Sequence, residues 1–96
     1  MITLIATVKV KEGKMDEAAK ILKEIVPKIK EAEPGCLAYI PHTVRGEDNT
    51  IIFYEKYRDK EALKVHSGNV QKSLEKLLPL LEPGTDLKTC NEIVLG

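Results

Sequence analysis

CLAYIPHTVRGEDNTIIFYEKY, residues 36–57, holds two β-patterned runs with one short loop between them. CLAYIPHTV (36–44) and TIIFYEKY (50–57) are rich in β-branched and aromatic residues, and RGEDN (45–49) is a turn composition. The stretch therefore predicts a hairpin. Pro41 has no N–H to give a ladder, so the first strand is expected at a sheet edge or at a bulge.

Helical patterns flank the hairpin on both sides. Upstream, Met15, Ala18, Ala19, Leu22, Ile25, Val26, Ile29 and Ala32 recur by threes and fours, the spacing of one helical stripe. Asp16 and Glu17 stand near its start, where the helix dipole favours negative charge. Pro27 lies inside the stripe without changing its phase, which predicts one kinked helix rather than two. Pro34-Gly35 ends it. Downstream, Asp59 is an expected N-cap, and a short helix should run to Val65 or His66. Ser67-Gly68-Asn69 is expected to interrupt it. Val70, Leu74, Leu77, Leu78 and Leu81 make a further helical stripe, with Glu82-Pro83-Gly84 as the stop.

Strands close both ends of the chain. ITLIATVKV (2–10) alternates and is β-branched, and DLKTCNEIVL (86–95) alternates less cleanly. The order is β-α-β-β-α-β with the second helix in two pieces. That is an α+β, ferredoxin-like split βαβ protomer with a four-stranded antiparallel sheet. One domain is expected over residues 1–96, with no linker or low-complexity tract.

Both faces of the hairpin strands carry apolar side chains. Ile51, Phe53 and Tyr57 share one face of the third strand, and Ile52 and Tyr54 the other. Two helices can cover only one face, so a second copy of the sheet is expected on the other, as a homodimer. Glu55 falls on the Ile51 face, where an interface salt bridge is the plainest partner for it.

Composition narrows the function classes. The 96 residues are 43% hydrophobic and 31% charged, an ordinary globular balance. Fifteen basic and fifteen acidic residues cancel, which argues against nucleic acid or an anionic membrane as partner. No apolar run approaches the roughly 20 residues of a membrane helix. The first residues lack the charged start of a signal peptide, so a cytoplasmic location is expected. Cys36 and Cys90 form no metal-spaced pair and should be buried, unpaired thiols. Strands two and four are the usual sheet edges of this topology, which keeps the two thiols apart.

Few residues are equipped for chemistry. His66 follows Ala62 by four and Leu63 by three, so it shares their face and points at the sheet. It reads either as a pocket base or as a half-buried histidine at a helix end, and position alone favours the second. Strand alternation puts Tyr54 and Tyr57 on opposite faces, and likewise Tyr39 and His42. Phosphate loops, nucleophile elbows and zinc-protease motifs are missing. With two histidines and no cysteine cluster, neither a bound metal nor another cofactor is expected.

Three stretches carry a resemblance. IATVKVKEGKMDEA, EPGCLAY and FYEKYRDKEALKVH together resemble the antibiotic biosynthesis monooxygenase family of the dimeric α+β barrel superfamily, over nearly the whole chain. The resemblance implies a dimeric α+β barrel with a pocket between each sheet and its helices. It implies oxidation of a small quinol- or anthrone-like aromatic by O₂ without metal or flavin. The alternative is non-oxidative binding or isomerisation of a small metabolite, as in other branches. His66 matches the family histidine, which makes it the candidate catalytic residue. Tyr39, Tyr54, Tyr57 and His42 are the candidate substrate-binding residues. Two features depart from relatives: SGNVQKS after His66 lacks the Pro-His pair that many carry, and tryptophan, used by the haem-degrading branch, is absent.

Overall fold

The structure, a computed structural model, describes all residues from 1 to 96. Alternation over Ile2–Lys9 becomes strand β1, and the stripe from Met15 becomes helix α1 (Met15–Ala32). Gly13, at φ 78°, makes the turn between them. Helix α1 runs unbroken through Pro27 and buries Ala18, Leu22, Ile25 and Ile29. Strands β2 (Cys36–Val44) and β3 (Glu47–Tyr57) form the predicted hairpin. Its turn is tighter than the expected five residues, because Gly46 at φ 85° lets Val44 pair with Glu47. Helix α2 (Lys60–Ser73), a 3₁₀ turn (Leu78–Leu80) and β4 (Asp86–Asn91) complete the chain.

The sheet order is β2-β3-β1-β4, with every neighbouring pair antiparallel. This is the expected ferredoxin-like α+β arrangement. Strands β2 and β4 are the edges, as predicted, and Pro41 sits in an edge strand. Cys36 and Cys90, one on each edge, are unpaired; Cys36 is buried as expected, but Cys90, on the short edge strand β4, is only half-buried. Register fixes the two faces. Leu4, Ala6 and Val8 of β1 lie beside Glu55, Phe53 and Ile51 of β3, and all six are buried beneath the helices. Ile5, Ile52 and Tyr54 face the other way and are half-buried, while Ile40 is 48% exposed.

Four expectations need correction. Helix α2 is continuous through Ser67-Gly68-Asn69. One helical glycine costs only about 1 kcal/mol, and packing of the helix on the sheet outweighs it. The 70–81 stripe is not a helix of its own: its first residues finish α2, and the remainder is turns and the 3₁₀ segment, with Pro79 near the 3₁₀ start. Backbone bonds from Glu82 to Lys9 and from Lys11 to Leu80 (both 2.8 Å) hold that segment against the end of β1. Strand β4 stops at Asn91 instead of residue 95, because β1 offers pairing only as far as Ile2. Ile93, Val94 and Leu95 beyond it are exposed. A bulge between Cys36 and Ala38 also turns Leu37 outward, away from the face of Tyr39 that simple alternation assigns it. No helix is long and apolar enough to cross a membrane.

Candidate functional site

The site begins at two chain turns. Glu33 closes α1, its N–H donating to the Ile29 carbonyl at 3.0 Å. Pro34-Gly35 then turns the chain into β2. The start of α2 packs directly on this turn: a Cβ placed on Gly35 would lie 2.5 Å from the Ala62 Cβ, and Arg58 N–H donates to the Gly35 carbonyl. Asp59 caps α2 as predicted, its Oδ1 accepting from Ala62 N–H at 2.9 Å. That bond holds the Asp59 carboxyl below the usual carboxylate range. One helical turn after Ala62, His66 enters the space between helix and sheet.

There His66 is 4% exposed and stands between two buried carboxylates. Its Nδ1 lies 2.9 Å from Glu33 Oε1, and its Nε2 lies 3.5 Å from Glu55 Oε1. A carboxylate only accepts, so Nδ1–H donates to Glu33, and Nε2 is left with a free lone pair. Tyr57 O–H donates to Glu55 Oε1 at 2.7 Å. Burial raises the Glu55 carboxyl above its ordinary range, against the opposing pull of the Tyr57 bond. Burial likewise raises the hydroxyls of Tyr39 and Tyr57, so both stay protonated donors. Rings flank the imidazole, with centroids at 5.4 Å for Tyr39 and 5.2 Å for Tyr57.

A cavity of about 330 Å³ adjoins this cluster, between the sheet and α2. Leu4, Ala6, Val8 and Phe53 form its floor, and Val70, Leu74, Leu77, Leu78 and Leu81 its roof. His66, Glu55 and Tyr39 enter from one wall. None of the side-chain hydrogen bonds uses the Tyr39 hydroxyl, yet no fully buried side-chain polar atom lacks a partner. The hydroxyl must therefore reach open space. A buried base, a free phenol and an apolar void suit proton abstraction from a small apolar molecule. They do not suit a metal: the two carboxylates address opposite ring nitrogens and cannot converge on one ion, and no set of three ligating side chains converges elsewhere.

Of the residues singled out in the sequence, His66 and Tyr39 line this cavity. Tyr57 shares their face but stands behind, bound to Glu55. Tyr54 projects from the opposite face, between Ile5 and Ile40 in register. His42, exposed on β2, borders a separate hollow against α1, with Met15, Val26 and Pro41. Glu55 does not need an interface partner, since Tyr57 and His66 of its own chain supply one. Glu33 was not anticipated. Its signal was there: at four residues after Ile29 it continues the buried side of α1, where an acid has no business without a base.

Comparison with known proteins supplies the context. A sequence profile described as antibiotic biosynthesis monooxygenase matches residues 1–73. A Synechocystis protein of uncharacterized function is 31% identical over 65 residues, 68% of this chain and 44% of the relative. The chain thus spans less than half the length of that curated relative. Among solved structures, a proposed antibiotic biosynthesis monooxygenase of Caulobacter crescentus superposes with TM-score 0.87 at 26% identity, over 97% of this chain and 90% of the other. One from Nitrosomonas europaea, similarly described, gives TM-score 0.85 over 98% and 100% at 12% identity, a likeness of fold alone.

Proposed function

The chain belongs to the antibiotic biosynthesis monooxygenase family, and on that premise we propose that it oxidises a small quinol- or anthrone-like aromatic with O₂, without metal or flavin. The observation that supports the reading is the buried Glu33–His66 pair, whose Nδ1 is held by Glu33 and whose imidazole lines an apolar cavity. Glu33 holds the ring's tautomer and orientation, and Nε2 takes a proton from the substrate. The Tyr39 hydroxyl donates to the oxygen on which charge develops. For an anthrone-like methylene, the carbanion's electrons reduce O₂, a C–O bond forms, and loss of water leaves a carbonyl. One O₂ and one CH₂ yield one C=O and one H₂O. The leucines of the roof keep bulk water from the anion.

Oxygen uptake with menadiol- or anthrone-like substrates tests this. The wild type should outpace His66→Ala by about a hundredfold or more, the range of a positioned general base. Equal rates would end the assignment of His66.

A second reading rests on Glu55. A carboxyl with a raised pKa beside the same imidazole makes an acid and base pair, which suits isomerisation of a small metabolite. Turnover that persists without O₂ would favour it. In either reading the outer sheet face, with Ile5, Ile40, Ile52 and Tyr54, is the seam of a homodimer. Tyr54 then serves the seam, and His42 lies outside the reaction cavity.

A further inference from the structure

The Glu33–His66 pair separates two hollows. His66 lines the apolar cavity, and Glu33 does not. Glu33 lines a different cleft, of about 420 Å³, between α1 and α2, and His66 does not. The rim of that cleft carries Lys28, Asn69 and Lys72, all exposed to solvent. One hydrogen bond of 2.9 Å, from His66 Nδ1–H to Glu33 Oε1, joins the two spaces. A proton released into this mostly apolar cavity finds few acceptors in its lining, and a base that keeps it stays charged beside the substrate anion.

We propose that Glu33 is the outlet of a proton relay that runs from the cavity, through the imidazole, to the α1–α2 cleft. The substrate's bond to hydrogen breaks and its electron pair stays on the substrate. The proton bonds to Nε2 as the Nδ1–H proton passes to Glu33 Oε1, which releases it to water in the cleft. When O₂ has been reduced to a carbon-bound peroxide, the second C–H bond breaks and its electron pair forms the carbonyl as the O–O bond cleaves; the outer oxygen leaves as water with that C–H proton and the Nε2 proton. A proton from the cleft then returns through Glu33 to Nδ1, and the pair is restored. The identity of substrate and oxidant in this scheme rests on the function proposed above; the relay itself does not.

The surroundings of the ring favour this exit. Glu33 reaches the imidazole from the end of α1, Glu55 and Tyr57 from β3, and Tyr39 from β2, with the Cys36 thiol close behind. Glu55 is the other carboxylate, but it stands in the wall of the apolar cavity, is held by Tyr57 and does not line the cleft. The Lys30 ammonium is committed to the Cys36 carbonyl at 2.7 Å.

The test is the exchange of the His66 Nδ1–H with water, read by ¹⁵N-histidine NMR. Wild type is compared with Glu33→Gln, which still accepts the Nδ1–H bond but cannot take the proton, and with Asn69→Trp, which fills the cleft mouth and leaves both members of the pair in the sequence. Both variants should slow exchange by about a hundredfold, the low end for a positioned proton-transfer group. In Glu33→Ala, added formate should restore exchange, and turnover where turnover is present. Unchanged exchange in Glu33→Gln and Asn69→Trp would overturn the relay, even with normal oxygen uptake. Slowed exchange in both variants, beside a wild type that oxidises no quinol or anthrone, would sustain the relay and sink the oxygenase reading.

Discussion

Replacing Gly35 by alanine should uncouple the site through one methyl group. The new Cβ would fall 2.5 Å from the Ala62 Cβ, whereas ordinary contact begins near 3.4 Å. Neither atom is the end of a flexible side chain, so α2 must retreat by about 1 Å, a shift of the kind that overpacking a dense interior enforces. His66 rides on the same helix. The 2.9 Å bond to Glu33 would then open beyond hydrogen-bond length. Overpacking of this kind costs about 1–3 kcal/mol. It is offset in part by the lower entropy of the unfolded chain, worth about 0.4–1 kcal/mol, since Gly35 is not at positive φ. The clash wins, by about 1–2 kcal/mol, which lowers Tm by about 5–15 °C for a domain of this size. Gly68 is the internal control. It lies in α2 with nothing within 4 Å of an added Cβ, so Gly68→Ala should stabilise by about 0.5–1 kcal/mol. Thermal unfolding followed by circular dichroism reads both. A Tm for Gly35→Ala at or above that of the wild type would refute the close-contact reasoning.

Other outcomes follow from the same geometry. Glu55 is raised by burial above its ordinary 4.5, so its folded form holds the proton more tightly than the unfolded chain does. Its contribution is fully present below that unfolded value and is lost as pH rises through the folded one. Urea titrations from mildly acidic to neutral pH should show wild-type stability falling relative to Glu55→Gln, and a flat difference would contradict the burial effect. Tyr57→Phe removes the donor to Glu55 and should cost about 1.5–3 kcal/mol; a loss too small to measure by chemical denaturation would mean that the bond is not maintained. Leu77, 0% exposed in the cavity roof, should cost about 2–5 kcal/mol on truncation to alanine, and an unchanged denaturation midpoint would show that the roof collapses to fill the gap. Ile52→Lys on the open sheet face should yield a folded monomer by sedimentation; a persistent dimer would move the seam elsewhere.

Much of the fold was written locally. The period change at Met15, the Asp59 cap, the Gly-containing turns and the alternation of β3 are interactions among near neighbours, so spacing alone reveals them. Where expectation failed, long-range contact had decided. Ser67-Gly68-Asn69 looked like a break because local propensity is weak there, yet the sheet beneath α2 keeps the helix intact. The end of β4 depended on how much of β1 remained to pair with. Leu37 turned outward because a bulge, invisible to a period of two, intervenes after Cys36.

The site divides in the same way. Helical spacing was sufficient to turn His66 inward, and strand parity was sufficient to separate Tyr57 from Tyr54. Each is a statement about one element's own geometry. The pairing of His66 with Glu33 joins residues 33 positions apart, and its pairing with Glu55 joins a helix to a strand. Those distances exist only because the Gly35 turn lets α2 settle on the end of α1 and over the centre of the sheet. Backbone periodicity was therefore enough to turn His66 and Tyr57 inward, though not to foresee the bulge that turns Leu37 out. Long-range packing alone set two carboxylates on opposite sides of one imidazole, with an apolar cavity at one and an open cleft at the other.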